Sequence, residues 1–265
     1  AEYVYEGSMI SGNKIYIENR GHGVELDDAD LNAGDSLVLA NNFISVGGSG
    51  NSYGIYVYSS SYINVYFNNI LVTSTEKNNS SGIYQYYSQN VEYLNNNVVN
   101  SGGGYAVRYD DTSDVTRSDN NNYFVTGDQL AQYNGNDASS LTEWLAETPL
   151  DSNSLSVDPL FYSDTNLHIK EISLFDAGTT ITGITEDIDG ESRDAANPSI
   201  GADEVVPPAN DAGIARLISP SVPFKHGSTK ILVSLRNFGK DPLSTADIIY
   251  SVNENQSTYP WSGSL

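Results

Sequence analysis

The sequence predicts an all-β protein whose larger part is a right-handed parallel β-helix, a solenoid of stacked coils, and three observations carry that prediction. Paired asparagines, Asn41-Asn42, Asn68-Asn69, Asn96-Asn97 and Asn121-Asn122, recur at intervals of 27, 28 and 25 residues, a period in the range of solenoid repeats. A second marker keeps the same phase: Gly23-Val24-Glu25-Leu26-Asp27, Gly54-Ile55-Tyr56-Val57-Tyr58, Gly82-Ile83-Tyr84-Gln85-Tyr86 and Gly104-Tyr105-Ala106-Val107-Arg108 superimpose. Each period also holds apolar bursts of strand length between Gly, Asn or Ser turns, as in Ile55/Val57, Ile63/Val65 and Ile70/Val72.

Three short strands per coil let each strand pair with its equivalent about 4.8 Å away in the next coil, bury one alternating set of side chains and ladder asparagine amides. Asn42, Asn69 and Asn97 are the residues expected to stack on successive coils. Leucine-rich repeats fit less well, because the Leu spacing and the helical half-repeat are missing. The chain is already in strand pattern at Tyr3-Val4-Tyr5, which predicts further coils upstream.

Alternation along the first strand of each coil separates two faces. Val24, Ile55, Ile83 and Tyr105, with Leu26, Val57, Gln85 and Val107, are expected to point inward. Outward come Glu25, Tyr56, Tyr84 and Ala106 in one column and Asp27, Tyr58, Tyr86 and Arg108 in the next. Two exposed tyrosine columns make either an aromatic platform for sugar rings or a ladder in which the rings simply stack on one another.

From Ser140 the pattern changes. Ser140 and Glu143 have capping-box spacing before Trp144-Leu145, and Pro149 closes the segment; this short helix is expected to cover the end of the solenoid. Then follow Ser156-Val157-Asp158-Pro159-Leu160-Phe161, Asn166-Leu167-His168-Ile169, Asp176-Ala177-Gly178, Asp187-Ile188-Asp189-Gly190-Glu191-Ser192-Arg193 and Ile200-Gly201-Ala202-Asp203-Glu204. In this order the pieces resemble the closing coils of secreted bacterial right-handed β-helix proteins of the pectate-lyase-like fold. The resemblance covers roughly residues 1–205, with its specific motifs in 141–205, and implies the fold more than an activity, since that group holds polysaccharide lyases, hydrolase-like proteins and non-catalytic surface proteins.

Val205-Val206-Pro207-Pro208-Ala209-Asn210 reads as a stiff connection, with residues 206–210 as the linker. Beyond it, apolar alternation at Ile214–Leu217, Ile231–Leu235 and Ile248–Val252 marks strands around Asn237-Phe238-Gly239. Residues 211–265 resemble the first half of an immunoglobulin-like, adhesion-related β-sandwich; such sandwiches take about 100 residues, so the chain is expected to be part of a longer multidomain protein.

Composition removes several functions. A net charge of −22 from 12 Lys+Arg and 34 Asp+Glu argues against nucleic acid and against anionic membrane surfaces. No apolar run approaches the ~20 residues that span a bilayer, and no charged-then-apolar leader opens the chain; a soluble, processed segment is expected. The absence of cysteine excludes disulfides and thiolate sites, and three histidines leave little for zinc.

The remaining chemistry is sparse. Asp187-x-Asp189-Gly190 is a candidate calcium loop without the ligand series of an EF-hand, and Arg193 is read as a structural residue paired with Asp187, Asp189 or Asp203. His168 reads as structural. Lyases on this fold use Lys or Arg to take the proton α to a uronate carboxylate; Arg108, flanked by Asp110, Asp111 and Asp114, is the best catalytic candidate, and its other reading is an inter-coil salt bridge. Glu25 and Asp27 are about 6.5 to 7 Å apart along one strand, within the range a glycosidase needs. The preferred reading is a secreted or cell-surface bacterial protein of adhesin or glycan-binding type, with Tyr56, Tyr58, Tyr84, Tyr86 and Arg108 on the binding face and no cofactor required. Its expected partner is a polysaccharide or surface glycan. The module order resembles type IX secretion cargo, which implies contact with that export machinery. The alternative is a lyase or glycoside hydrolase acting on an acidic polysaccharide.

Overall fold

The computed structural model describes residues 7–110, 114–220, 227 and 229–265; Tyr3-Val4-Tyr5 lies outside them. The chain divides into two compact units, Ala1–Val205 and Val206–Leu265.

The first unit is a parallel β-solenoid. Strands β1 (Met9–Ser11), β2 (Lys14–Ile17) and β3 (His22–Asp27) form the first coil, followed by β4 (Leu37–Ala40), β5 (Phe43–Val46) and β6 (Ser52–Tyr58) in the second. The third holds β7 (Ser61–Tyr66), β8 (Asn69–Val72) and β9 (Ser80–Tyr86), and the fourth β10 (Gln89–Leu94), β11 (Asn97–Asn100) and β12 (Tyr105–Tyr109). The fifth holds β13 (Val115–Asp119), β14 (Asn122–Val125) and β15 (Ala131–Tyr133), against which β16 (Asn136–Ala138) folds back antiparallel. Sheet one is β1-β4-β7-β10-β13, sheet two β2-β5-β8-β11-β14 and sheet three β3-β6-β9-β12-β15-β16.

The asparagine repeat does two jobs at the corner between sheets one and two. Gly12, Asn41, Phe67, Asn95 and Asn120 all take positive φ, between 51° and 69°, a region that Gly and Asn enter at least cost. The next residue in each coil enters an amide ladder: Asn13, Asn42, Asn68 and Asn96 each donate Nδ2–H to the Oδ1 of the following rung at 2.9 to 3.1 Å, and Asn121 accepts at its end. The same Oδ1 atoms accept backbone N–H groups that the corner leaves unpaired. The expected stack of Asn42, Asn69 and Asn97 is therefore corrected: Asn42 stacks on Asn68 and Asn96, while Asn69 and Asn97 pair with Phe43 and Asn122 in the adjacent column, facing out of the coil. Because adjacent residues of an asparagine pair point to opposite faces, the pair's period was readable and its inward member was not. Replacing Asn96, fully buried, by Ala leaves the Asn68 N–H and Val65 carbonyl without their partners; a loss of about 1 to 3 kcal/mol is expected in urea unfolding, and a change below a few tenths would mean that water replaces the amide freely.

A second correction concerns the fourth coil. Val107 pairs with Ile83 and Arg108 with Tyr84, so the expected alignment is off by two residues there. The turn between β11 and β12 is shorter than its predecessor and is clamped by Asn100 Oδ1, which accepts from the N–H of Gly102 and Gly104. Ala106, expected outside, is fully buried and takes the place of Gly82 and Gly54 in the column above Ile70 and Val98. Polar groups in the core are matched: Gln85 accepts the Tyr93 hydroxyl at 2.9 Å and donates to the Ser88 carbonyl.

Helix α1 (Leu141–Glu147) closes the fifth-coil end, with Ser140 accepting the Glu143 N–H as its cap and Trp144 fully buried. The segment that follows forms a strap and adds no coils; apart from a short 3₁₀ turn at Ile172–Leu174 it contains only isolated bridges. It crosses the outer face of sheet two twice. Val157 binds the Asn122 amide in both directions and Leu167 accepts from Asn69; then Ala177 meets Asn120, Thr179 meets Asn95, Glu186 meets Asn41, and Ala202 returns to Asn69. Phe43, Leu71 and Val99 are thereby buried against Leu167 and Ala202, which explains why β8 and β11 are buried on both faces.

The second unit consists of two antiparallel pairs, β17 (Ala212–Ser219) with β18 (Leu232–Asn237) and β19 (Thr245–Val252) with β20 (Asn255–Ser262). Pro208 and Ala209, read as linker, accept from Lys240 and Asp241 of this unit. The pairs border an open apolar cavity of about 870 Å³ lined by Leu217, Leu235, Ile248 and Trp261, among others, an arrangement compatible with part of a sandwich.

Candidate functional site

The outer face of sheet three carries an aromatic cluster because β6 and β9 present tyrosines on the side opposite their inward residues. Tyr56 and Tyr84 pair across the strands, as do Tyr58 and Tyr86. The rings of Tyr56 and Tyr58 lie 6.2 Å apart at 7°, those of Tyr58 and Tyr86 5.7 Å apart at 18°, and those of Tyr84 and Tyr86 6.2 Å apart at 28°. The four make a raft of half-buried rings, near-parallel except for Tyr56 and Tyr84, which are tilted by 50° at 5.5 Å, so part of each ring's area is already spent on its neighbours.

The structure adds aromatic residues that the sequence reading passed over. Tyr53 and His22 precede the glycine where alternation breaks; Tyr53 sits 5.3 Å from both Tyr56 and Tyr84, and His22 4.8 Å from Tyr56. Tyr87 occupies the corner after β9 with φ 52°, which turns its ring outward, half exposed, across the edge of Tyr58 and Tyr86. It forms one wall of an open groove of about 290 Å³ lined by Asp28, Asp30, Ser59, Ser61 and Gln89. A single signal could have found these: the tyrosines outside the repeat columns.

Arg108 lies in the Tyr56/Tyr84 column, not the Tyr58/Tyr86 column, because of the register in the fourth coil. Its guanidinium is fixed between the Tyr84 and Tyr105 rings, 4.8 and 5.0 Å from their centres, and donates to Gln132 Oε1 at 2.9 and 3.1 Å and to the Asn78 carbonyl. Of the acids expected beside it, Asp110 accepts the Tyr84 hydroxyl at 3.1 Å; Asp111 lies outside the described residues. Such a guanidinium is a held donor rather than a free base. Glu25 is engaged by His22 Nδ1 at 3.1 Å.

Burial, then the Asp110 charge, pushes Tyr84 up; burial raises Tyr53, Tyr56 and Tyr105; and a hydrogen bond with Tyr87 pushes Tyr86 up to about 12. The aromatic face thus carries the Arg108 guanidinium among its rings and is rimmed by carboxylates.

The strap residues are arranged differently from expectation. Arg193 is buried and pairs with Glu204 at 3.2 Å, with further bonds to Asn41 Oδ1 and the Gly201 carbonyl, whereas Asp187, Asp189 and Asp203 were the expected partners. Asp187 is saturated by the N–H groups of Asp189, Glu191 and Glu204. That leaves Asp187 bound to backbone and sets Asp189 beside His168 and Asp203 instead. Asn166 makes an isolated bridge with Ser163, and residues 167–169 belong to no strand.

Among the described residues no helix is long and apolar enough to cross a membrane. No family model, curated protein or solved structure matches the chain.

Proposed function

We propose that the chain belongs to an extracellular or cell-surface bacterial protein of adhesin type, which binds glycan on the outer face of sheet three. The observation that carries this reading is the half-exposed Tyr87 standing beside the tyrosine raft at the mouth of a polar groove. Flat apolar ring edges next to Ser, Gln and Asp acceptors suit a pyranose, whose C–H face packs on aromatic rings while its hydroxyls donate to carboxylates. The rim of Glu25, Asp27, Asp28, Asp30 and Asp110, with Arg108 already held, favours a neutral polysaccharide and repels uronates. The cell-surface location and type IX export rest on the resemblance of residues 141–205 and of the module order alone.

Retention on immobilised neutral and acidic polysaccharides tests the reading. Tyr87→Ala is expected to weaken retention on a neutral glycan by about 0.5 to 1.5 kcal/mol, and Tyr58→Ala with Tyr86→Ala by about 1 to 3 kcal/mol in total, with Arg108→Ala giving a graded loss of similar size. Release of unsaturated products that disappears in Arg108→Ala would establish a lyase instead. Stronger retention on uronates than on neutral chains would refute the charge argument.

A further inference from the structure

Away from sheet three, titratable side chains converge where the strap returns over the first two coils. His168 Nε2 lies 2.6 Å from Asp189 Oδ2, and Asp203 completes a group whose donor atoms all lie within 4.8 Å of one another. The three come from separate turns of the strap, each pinned by backbone: Asp203 Oδ2 accepts the Ile169 N–H at 3.0 Å, and the Asp189 N–H donates to Asp187 at 2.9 Å. The edge of the Phe43 ring lies against the imidazole, 4.9 Å between centres.

The orientation of the imidazole says what is needed at its centre. Asn166 Oδ1 accepts the His168 backbone N–H at 3.3 Å and also meets His168 Nδ1. An oxygen at that position makes Nδ1 the ring's donor. A deprotonated ring would turn its Nε2 lone pair onto a carboxylate oxygen, with a second carboxylate beside it. Two lone pairs at that distance repel unless a positive centre joins them. Lys14 Nζ, 3.1 Å away, serves the other oxygen of Asp189 and cannot fill this role.

We propose that His168 Nε2, Asp189 and Asp203 bind a divalent first-row transition ion of the zinc type, with its remaining position open to solvent. One imidazole nitrogen with two carboxylates matches the ligand classes of zinc, whereas calcium takes six to eight oxygens. Two carboxylates balance the ion's charge, and Asn166 and Lys14 orient the ligands from outside, as partners of ligating side chains do. To admit the ion the 2.6 Å pair opens to roughly 3.3 Å, the separation of two ligands about 2.0 Å from a tetrahedral centre. Both side chains are partly exposed, 29% and 38%. The bound ion cross-links the turns at 166–169, 187–191 and 203, fastening the strap over the first coils.

Calorimetry of zinc chloride added to the chelator-treated protein, with thermal unfolding in parallel, tests this. One zinc per chain is expected, with a rise in Tm, and cobalt(II) in its place should give the visible absorption of a low-coordinate N/O site. His168→Gln and Asp189→Asn should each weaken zinc at least 10-fold, whereas His22→Gln should leave it unchanged and calcium should bind far more weakly. Circular dichroism identifies any variant that has lost its fold, and the cobalt spectrum of the unaltered protein decides the matter without variants. Zinc affinity that survives His168→Gln, or no zinc binding together with an imidazolium at His168 near neutral pH, would overturn the proposal in favour of a proton bridging the pair.

Discussion

Arg193→Ala is expected to destabilise the solenoid unit by about 3 to 5 kcal/mol, the usual cost of removing one partner of a buried ion pair. Its side chain and that of Glu204 are 2% and 3% exposed, so the variant strands a carboxylate that accepts the Ser199 and Asp194 N–H groups but loses its only cation among the described residues. The guanidinium also covers the Phe67 ring at 3.9 Å and ties Asn41 to the strap. Glu204 is already pushed upward by burial, against the downward pull of Arg193. Without Arg193 its folded pKa rises further, and a raised acid destabilises the fold once pH exceeds its unfolded value. The deficit of the variant is therefore largest near neutrality and shrinks as pH falls toward the already raised folded value of Glu204 in the unaltered protein. Urea unfolding at pH 7 and near pH 4.5 measures both; a loss under 1 kcal/mol, or one independent of pH, would refute the assignment.

The second large effect is expected at the far end. Trp144 is fully buried on the last coil, 5.7 Å from the Tyr109 ring and 6.1 Å from Tyr133, and its Nε1–H donates to the buried Asp151 at 2.9 Å. Trp144→Ala opens a large cavity over the coil end, for about 3 to 5 kcal/mol. Asp151 also loses one of the bonds that hold it against its burial, which raises its pKa. Trp144→Phe keeps most of the packing and removes the donor, so a smaller loss of about 1 to 3 kcal/mol is expected. Amide exchange should accelerate first in β12 to β16; unchanged protection of Tyr105–Tyr109 in the Ala variant would show that the helix is not a cap.

What could be read from the sequence followed from short-range rules. The coil period, the three strands, the Gly column of the first three coils and the Ser140 cap are local, and each appears where expected. The inward member of the asparagine pairs was misread because both members are buried: one by the ladder, the other by a strap whose contacts lie far along the chain. The register at Arg108 depended on the length of one turn. Arg193 met Glu204 rather than an aspartate because Asp187 is consumed by backbone N–H groups and Asp189 by His168, a competition invisible in spacing. Tyr53 and Tyr87 were passed over because one precedes a break in alternation and the other occupies a corner.

The strap has a consequence for how the chain folds. Solenoids commonly assemble by nearest-neighbour growth, each coil stabilised as the next is laid on it. Here the contacts from Asn69 to Leu167, Asn41 to Arg193 and Lys14 to Asp189 span 98, 152 and 175 residues. Loop closures of that length are slow to form. During synthesis the coils emerge with Phe43, Leu71 and Val99 still open to water, and the apolar side of sheet two is sealed only when residue 202 arrives. Residues 141–205 thus supply, from far along the chain, the cover that keeps Phe43, Leu71 and Val99 of the preceding coils out of water.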